Sequence, residues 1–257
     1  MITTPLRKLA KALLKNAGYE VRKLEPAGND TQTVFRKHAT HGTIIEFIGP
    51  SGAGKSFLFA KAWPHLQERW MRDPVKNATA DHLVPNFAPY WSLILSATQG
   101  LANSSLNDYQ RAKVVRQLSS VIVKDSEIRN QVGRSGFVLQ EGLFHNFPHQ
   151  LMALPDQQFQ MAASSRALIL VLPQSPDTII ERRQLRVKNG GHLSTWHAGM
   201  DRAEQHKEIE SRCALIRQLS ARAEAFGIVC LRVNAEDPIR TMISSVVAFE
   251  KQFNRAQ

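Results

Sequence analysis

Residues 49–56 read Gly-Pro-Ser-Gly-Ala-Gly-Lys-Ser. This is the spacing G-x-x-x-x-G-K-[ST], which cradles phosphate when a strand precedes it and a helix follows. Gly49, Gly52 and Gly54 lack Cβ atoms, so the chain can close tightly around an anion. Backbone N–H groups then converge on phosphate oxygens at the positive end of a helix dipole. Gly49, Pro50, Ser51, Gly52, Ala53, Gly54, Lys55 and Ser56 thus form a candidate nucleotide cradle. The Lys55 ammonium would reach the outer phosphates, and the Ser56 hydroxyl would ligate Mg²⁺.

Other residues could complete a phosphoryl-transfer site. Gly136 to Glu141 reads as a buried strand that ends in a polar pair, Gln140 and Glu141. Ligands gather at the carboxyl ends of parallel strands. A carboxylate there can hold Mg²⁺ or accept the proton of an attacking hydroxyl. Arg186 follows Arg183 by three residues and Arg182 by four on one candidate helix, so one or the other shares its face. Guanidinium groups make planar, multi-donor contacts with phosphate oxygens. Asp81 and His82 lie on another candidate strand and can approach an acceptor, with Asp81 a second candidate for the proton. Tyr90 and Trp91 can stack on a ring, although core packing is the commoner use of such side chains. His145 and His149 follow Glu141 at four-residue steps, but Pro148 between them argues against a regular metal-binding helix.

These residues need a frame. Thr43 to Ile48 is β-branched and apolar, a strand leading into the glycine loop. Lys55 to Trp70 reads as the helix that follows. Asp81 to Val84 is a candidate second strand, Gly136 to Glu141 a third, Ala167 to Leu172 a fourth and Ile228 to Val233 a fifth. Helical segments run over 106–123, 176–187 and 201–226, and Asp237-Pro238 opens a last one. Strands alternating with helices predict an α/β three-layer sandwich around a mostly parallel, five-stranded sheet. Gly190 and Gly191 are hinge-like, and residues 182–200 suit a lid. Residues 1–38 form a separate, basic amphipathic extension: Leu6, Leu9, Leu13 and Leu14 share one face, with Arg7, Lys8, Lys11 and Lys15 largely elsewhere. Residues 39–257 form the main domain.

The chain of 257 residues carries a net charge of +11, which favours anionic partners such as nucleotides, phosphorylated substrates or acidic lipid. Two cysteines build neither a disulfide framework nor a zinc site, which points to a reducing compartment. A cytoplasmic place is expected, or a peripheral one at the inner face of a membrane if the N-terminal helix lies on anionic lipid rather than packing on the domain. No nucleic-acid recognition motif accompanies the charge.

Three segments in order carry a resemblance: the loop at 49–56, then Phe-Val-Leu-Gln-Glu-Gly-Leu at 137–143, then Leu-Ile-Leu-Val-Leu-Pro followed by Glu-Arg-Arg-Gln-Leu-Arg at 181–186. Together they resemble the P-loop nucleoside and nucleotide kinase group, whose strand ending in Glu-Gly is similar to that of uridine-kinase-like enzymes. Many P-loop proteins have Asp where this chain has Gln140 or Glu141. The resemblance implies a P-loop NTPase fold, ATP and Mg²⁺ as phosphoryl donor and metal, and a small-molecule hydroxyl or phosphate as acceptor. It also implies an adenine contact near Asn234. Two other readings stand beside it: a nucleotide-gated binding protein acting at a membrane surface or assembly, and a sulfotransferase. The Lys-Ser ending of the loop suits an Mg-bound triphosphate better than a sulfonucleotide.

Overall fold

The computed structural model describes residues 43–72, 88–102, 104, 107–130, 136–190 and 199–255. Five strands make one sheet: β1 (Ile44–Ile48), β2 (Trp70–Arg72), β3 (Gly136–Leu139), β4 (Arg166–Leu172) and β5 (Val229–Asn234), in the order β2-β3-β1-β4-β5. All four pairings are parallel. Parallel strands need crossovers, and helices supply them: α1 (Lys55–Leu66), α2 (Ala88–Ala102), α3 (Asp108–Asn130), α4 (Leu143–Asn146), α5 (Pro148–Ala153), α6 (Asp156–Ala163), α7 (Pro176–Lys188) and α8 (Arg202–Ala225); α9 (Ile239–Arg255) follows the last strand.

Side chains alternate across β1 with period two. Ile45 and Phe47 face one layer, where they meet Leu58, Phe59 and Leu66 of α1 and Val246, Phe249 and Phe253 of α9. Ile48 faces the other, with Leu93 of α2, Ile122 of α3, Phe144 of α4, Phe159 of α6 and Leu219 of α8. The three-layer α/β reading is borne out, with β1, the strand that feeds the glycine loop, at the centre of the sheet.

Two boundaries differ from the sequence reading. α1 ends at Leu66, and Trp70 belongs to a strand. The indole Nε1 of Trp70 donates to Glu250 of α9 at 2.8 Å. A Cβ on Gly136 would lie 2.2 Å from the Trp70 ring, so β3 carries glycine where β2 presses its tryptophan. A contact 180 residues away in sequence overrides the local helical pattern. The strand beside β3 is therefore Trp70–Arg72. The candidate strand Asp81 to Val84 lies outside the described residues, as do the extension 1–38 and most of 191–200. Among the described residues, no helix is long and apolar enough to cross a membrane.

Two helices near the glycine loop begin at side-chain caps. Ser175 caps α7 by accepting from the Asp177 amide, with Pro176 in the first turn. Asp201 and Glu204 close a reciprocal capping box on α8. These two helices carry the arginines that surround the glycine loop.

Candidate phosphate site

The glycine loop leaves β1 and turns directly into α1. Gly54 caps α1 in the left-handed region, at φ 92°, where a side chain would be strained. Gly49 packs against β4: a Cβ there would meet the Val171 carbonyl oxygen at 2.3 Å. Only glycine allows the loop to start this close to the sheet.

Lys55 is buried, and its ammonium donates to the carbonyls of Gly49 at 2.9 Å and Pro50 at 3.1 Å. Burial lowers its pKa to about 8; Glu141 opposes that shift, while the Arg212 and Arg186 guanidiniums add to it. One carboxylate and two guanidiniums therefore bear on Lys55. Ser56 is exposed in the first turn of α1, free to ligate a cation bound to phosphate. The loop accordingly fits a nucleotide triphosphate with its metal: it offers amides, a buried ammonium and an accessible hydroxyl.

Glu141 stands two residues beyond β3, with its side chain 55% exposed, and 3.8 Å separates its Oε1 from His145 Nε2. His145 lies within the field of Lys55 and Arg212. Burial and those two cations hold its imidazole well below its ordinary pKa, so it is neutral. Its Nδ1 is buried without a hydrogen-bond partner. His149 is lowered too, first by burial and then by Arg212. Cationic neighbours are a poor setting for a metal-binding histidine pair, and no group of three metal-ligating side chains occurs among the described residues.

The three arginines of α7 divide. Arg182 donates to the Ala53 carbonyl at 3.2 Å and to the Ala235 carbonyl at 2.7 Å, joining the glycine loop to the turn after β5. Arg183 is buried; it donates to the Ser51 carbonyl at 3.0 Å and pairs with Glu208 of α8 at 3.1 Å. Both hold the loop by its backbone. Arg186 is exposed and bears on Lys55.

Arg212 of α8 escaped the sequence reading. Its guanidinium donates to the His145 carbonyl. It stands alone in a charged helix with no motif around it, and 29 residues separate it from Arg183. Only the packing of α8 on α7 brings the two near one site. Asn234 ends β5 but has its side chain engaged locally: Nδ2 donates to Asp237 at 3.0 Å and Oδ1 accepts from the Glu236 amide at 3.1 Å. Asp81 and His82 lie outside the described residues. Tyr90 is buried in the core, where its hydroxyl donates to Asp125 at 2.6 Å, and Trp91 is 41% exposed.

Beside Glu141 opens a cavity of about 380 Å³. Its walls include Gln117, Ser120 and Lys124 of α3, Gln140, and Asn146 of α4. It shares Glu141 with the phosphate site.

No protein-family model matches the sequence, and no curated protein matches it either. Among solved structures, the fold is similar to deoxyadenosine kinase from M. mycoides with bound dCTP, at 14% identity over 82% of this chain and 100% of that one, TM-score 0.45. The same enzyme with bound dATP is similar at 15% identity over 81% and 99% of the two chains, TM-score 0.43. The geometry of this chain, rather than these likenesses, carries the functional reading.

Proposed function

We propose that the protein is a kinase that transfers the γ-phosphoryl group of ATP to a small-molecule hydroxyl or phosphate. The carrying observation is Lys55, buried within a glycine loop and flanked by Glu141, Arg186 and Arg212. Phosphoryl transfer is mainly positioning plus neutralisation of charge on the moving group. Lys55 would bridge the β- and γ-phosphates. Arg186 and Arg212 would neutralise the transferring group, while Arg182 and Arg183 keep the loop amides aimed at it. Mg²⁺, held by Ser56 and Glu141, would offset charge on the phosphate oxygens.

The acceptor oxygen would enter from the cavity beside Glu141. It forms a bond to the γ-phosphorus as the bond to the β,γ-bridging oxygen breaks. ADP leaves with that electron pair, and the acceptor proton passes to the Glu141 carboxylate. Asp81 stays a second candidate for the proton, and Asn234 a candidate for the adenine.

The test is to incubate the protein with ATP, Mg²⁺ and a panel of sugars, nucleosides and their monophosphates, and to follow ADP. Acceptor-dependent ADP release that Lys55→Ala abolishes is the expected result. Equal release by the wild type and Lys55→Ala overturns the reading.

A further inference from the structure

We propose that Glu46, on β1 beneath the phosphate site, is a positioning residue that fixes the turn carrying Glu141; this rests on the kinase reading above. Glu46 is fully buried. Its Oε2 accepts from Arg166 Nη1 at 2.9 Å, and its Oε1 accepts from the His145 amide at 2.8 Å. The amides of Phe144 and Gly142 also turn toward it. One carboxylate thus gathers the backbone N–H groups that immediately follow Glu141.

The packing is close. A Cβ on Gly142 would stand 2.6 Å from the Glu46 Cδ, so glycine is the residue that lets the turn settle onto the acid. The acid cannot drift. Arg166 on the neighbouring strand grips it, and Arg166 is itself paired with Asp125 of α3. Asp125 in turn accepts from Arg129 at 2.8 Å and Tyr90 at 2.6 Å. An apolar residue would hold a central strand more cheaply than a buried ion pair, whose net contribution to stability is small. A buried acid with convergent amides instead defines where a turn sits. Here the turn lies beside the glycine loop, because β3 pairs directly with β1 in register, Glu46 opposite Leu139.

The variants are Gly142→Ala, which pushes the turn off the acid, and Glu46→Asp/Gly142→Ala, in which the acid is one methylene shorter and makes room for the new Cβ. Each is compared with Glu141→Ala and with the same changes made in a Glu141→Ala background. The readouts are kcat and KM for ATP, the gain in ATP affinity on adding Mg²⁺ by calorimetry, and Tm as a check on folding. Gly142→Ala is expected to lower kcat about tenfold with KM for ATP within about twofold, and to shrink the Mg²⁺ gain. The double variant should recover most of both. In the Glu141→Ala background neither change should do more. A fall in Tm with kcat and the Mg²⁺ gain unchanged, or equal losses with and without Glu141, would overturn the proposal. If the wild type releases no ADP with any acceptor, the kinase reading falls, and the Mg²⁺ gain still decides the position of Glu141. If that gain is absent from the wild type as well, Glu141 has nothing to be positioned for and the proposal falls with it.

Discussion

Two clusters of buried charge lie on either side of the turn that carries Glu141, and they are built on opposite plans. In the lower one, Glu46, Arg166, Asp125, Arg129 and Tyr90 answer one another. Arg166 meets two carboxylates, and Asp125 meets Arg166, Arg129 and a hydroxyl. In the upper one, Lys55 is buried with two backbone carbonyls as direct partners and one exposed carboxylate, while Arg186 and Arg212 add like charge. Taking an ion out of water costs several kcal/mol unless its partners restore what water gave. The lower cluster pairs its charges with one another, although burial still outweighs the pairing at Glu46, Arg166 and Arg129. The upper one is left with an excess of positive charge, the condition of a site made to receive an anion. On the proposed function, the difference separates charge that holds the fold from charge that binds phosphate.

Breaking the lower cluster should show in stability. Arg166→Met leaves Glu46 and Asp125 buried without their shared partner, and removing one member of a buried pair costs about 3–5 kcal/mol. Urea unfolding monitored by circular dichroism should register a loss of that order. A change under about 1 kcal/mol would mean that the cluster is slack. Breaking the upper cluster should do the reverse. Lys55→Met should lower turnover on the order of 10²- to 10³-fold, as removal of a single oxyanion-stabilising group does, yet leave Tm equal or higher, because a desolvated cation is gone. Matched losses of Tm and turnover in Lys55→Met would erase the contrast between the clusters.

Within the upper cluster the arginines sharpen the comparison. Arg186→Ala and Arg212→Ala should each lower kcat about 10- to 100-fold, the range for a hydrogen bond to a charged group. Arg182→Ala and Arg183→Ala should act mainly through the loop, raising KM for ATP as the Ala53 and Ser51 carbonyls lose their donors. Steady-state kinetics on the four variants separates the sets. If kcat falls equally in all four with KM unchanged, the division of labour is wrong.

The sequence made the upper cluster legible only in part. The glycine loop is contiguous, so its spacing carries its own signal, and the strand before it follows from a β-branched apolar run. Glu141 could be placed because it follows such a run. Arg182, Arg183 and Arg186 could be found, but not the fact that two of them face backbone carbonyls, since a helical face says nothing about what packs against it. Arg212, alone in α8, had no pattern to reveal it. The lower cluster was invisible. Glu46 looks like one polar interruption in a strand, and its partner Arg166 is 120 residues away. The same holds for Trp70: its deciding contact, with Glu250, is tertiary.

The smallest effect is also the most direct test of the comparison. Lys55 has its pKa lowered to about 8 from an ordinary 10.5, with burial the main cause. At neutral pH it is protonated in both the folded and unfolded chain, and folding bears a penalty of roughly 3 kcal/mol. Between pH 8 and 10.5 the unfolded chain binds the proton that the folded one has released. Stability contributed by this group therefore rises with pH across that window, because the unfolded state binds more protons. The Tm advantage of Lys55→Met over wild type should accordingly be largest at neutral pH and shrink above pH 8. Phosphate oxygens beside the ammonium favour its charged form and push the pKa back up. Binding of ATP near pH 8 should then take up a fraction of a proton, which calorimetry reads as a dependence of the apparent enthalpy on the ionisation enthalpy of the buffer. Lys55→Met should abolish that component. Uptake that persists in the variant would place the responsive group elsewhere, with the neutral imidazole of His145 the next to examine.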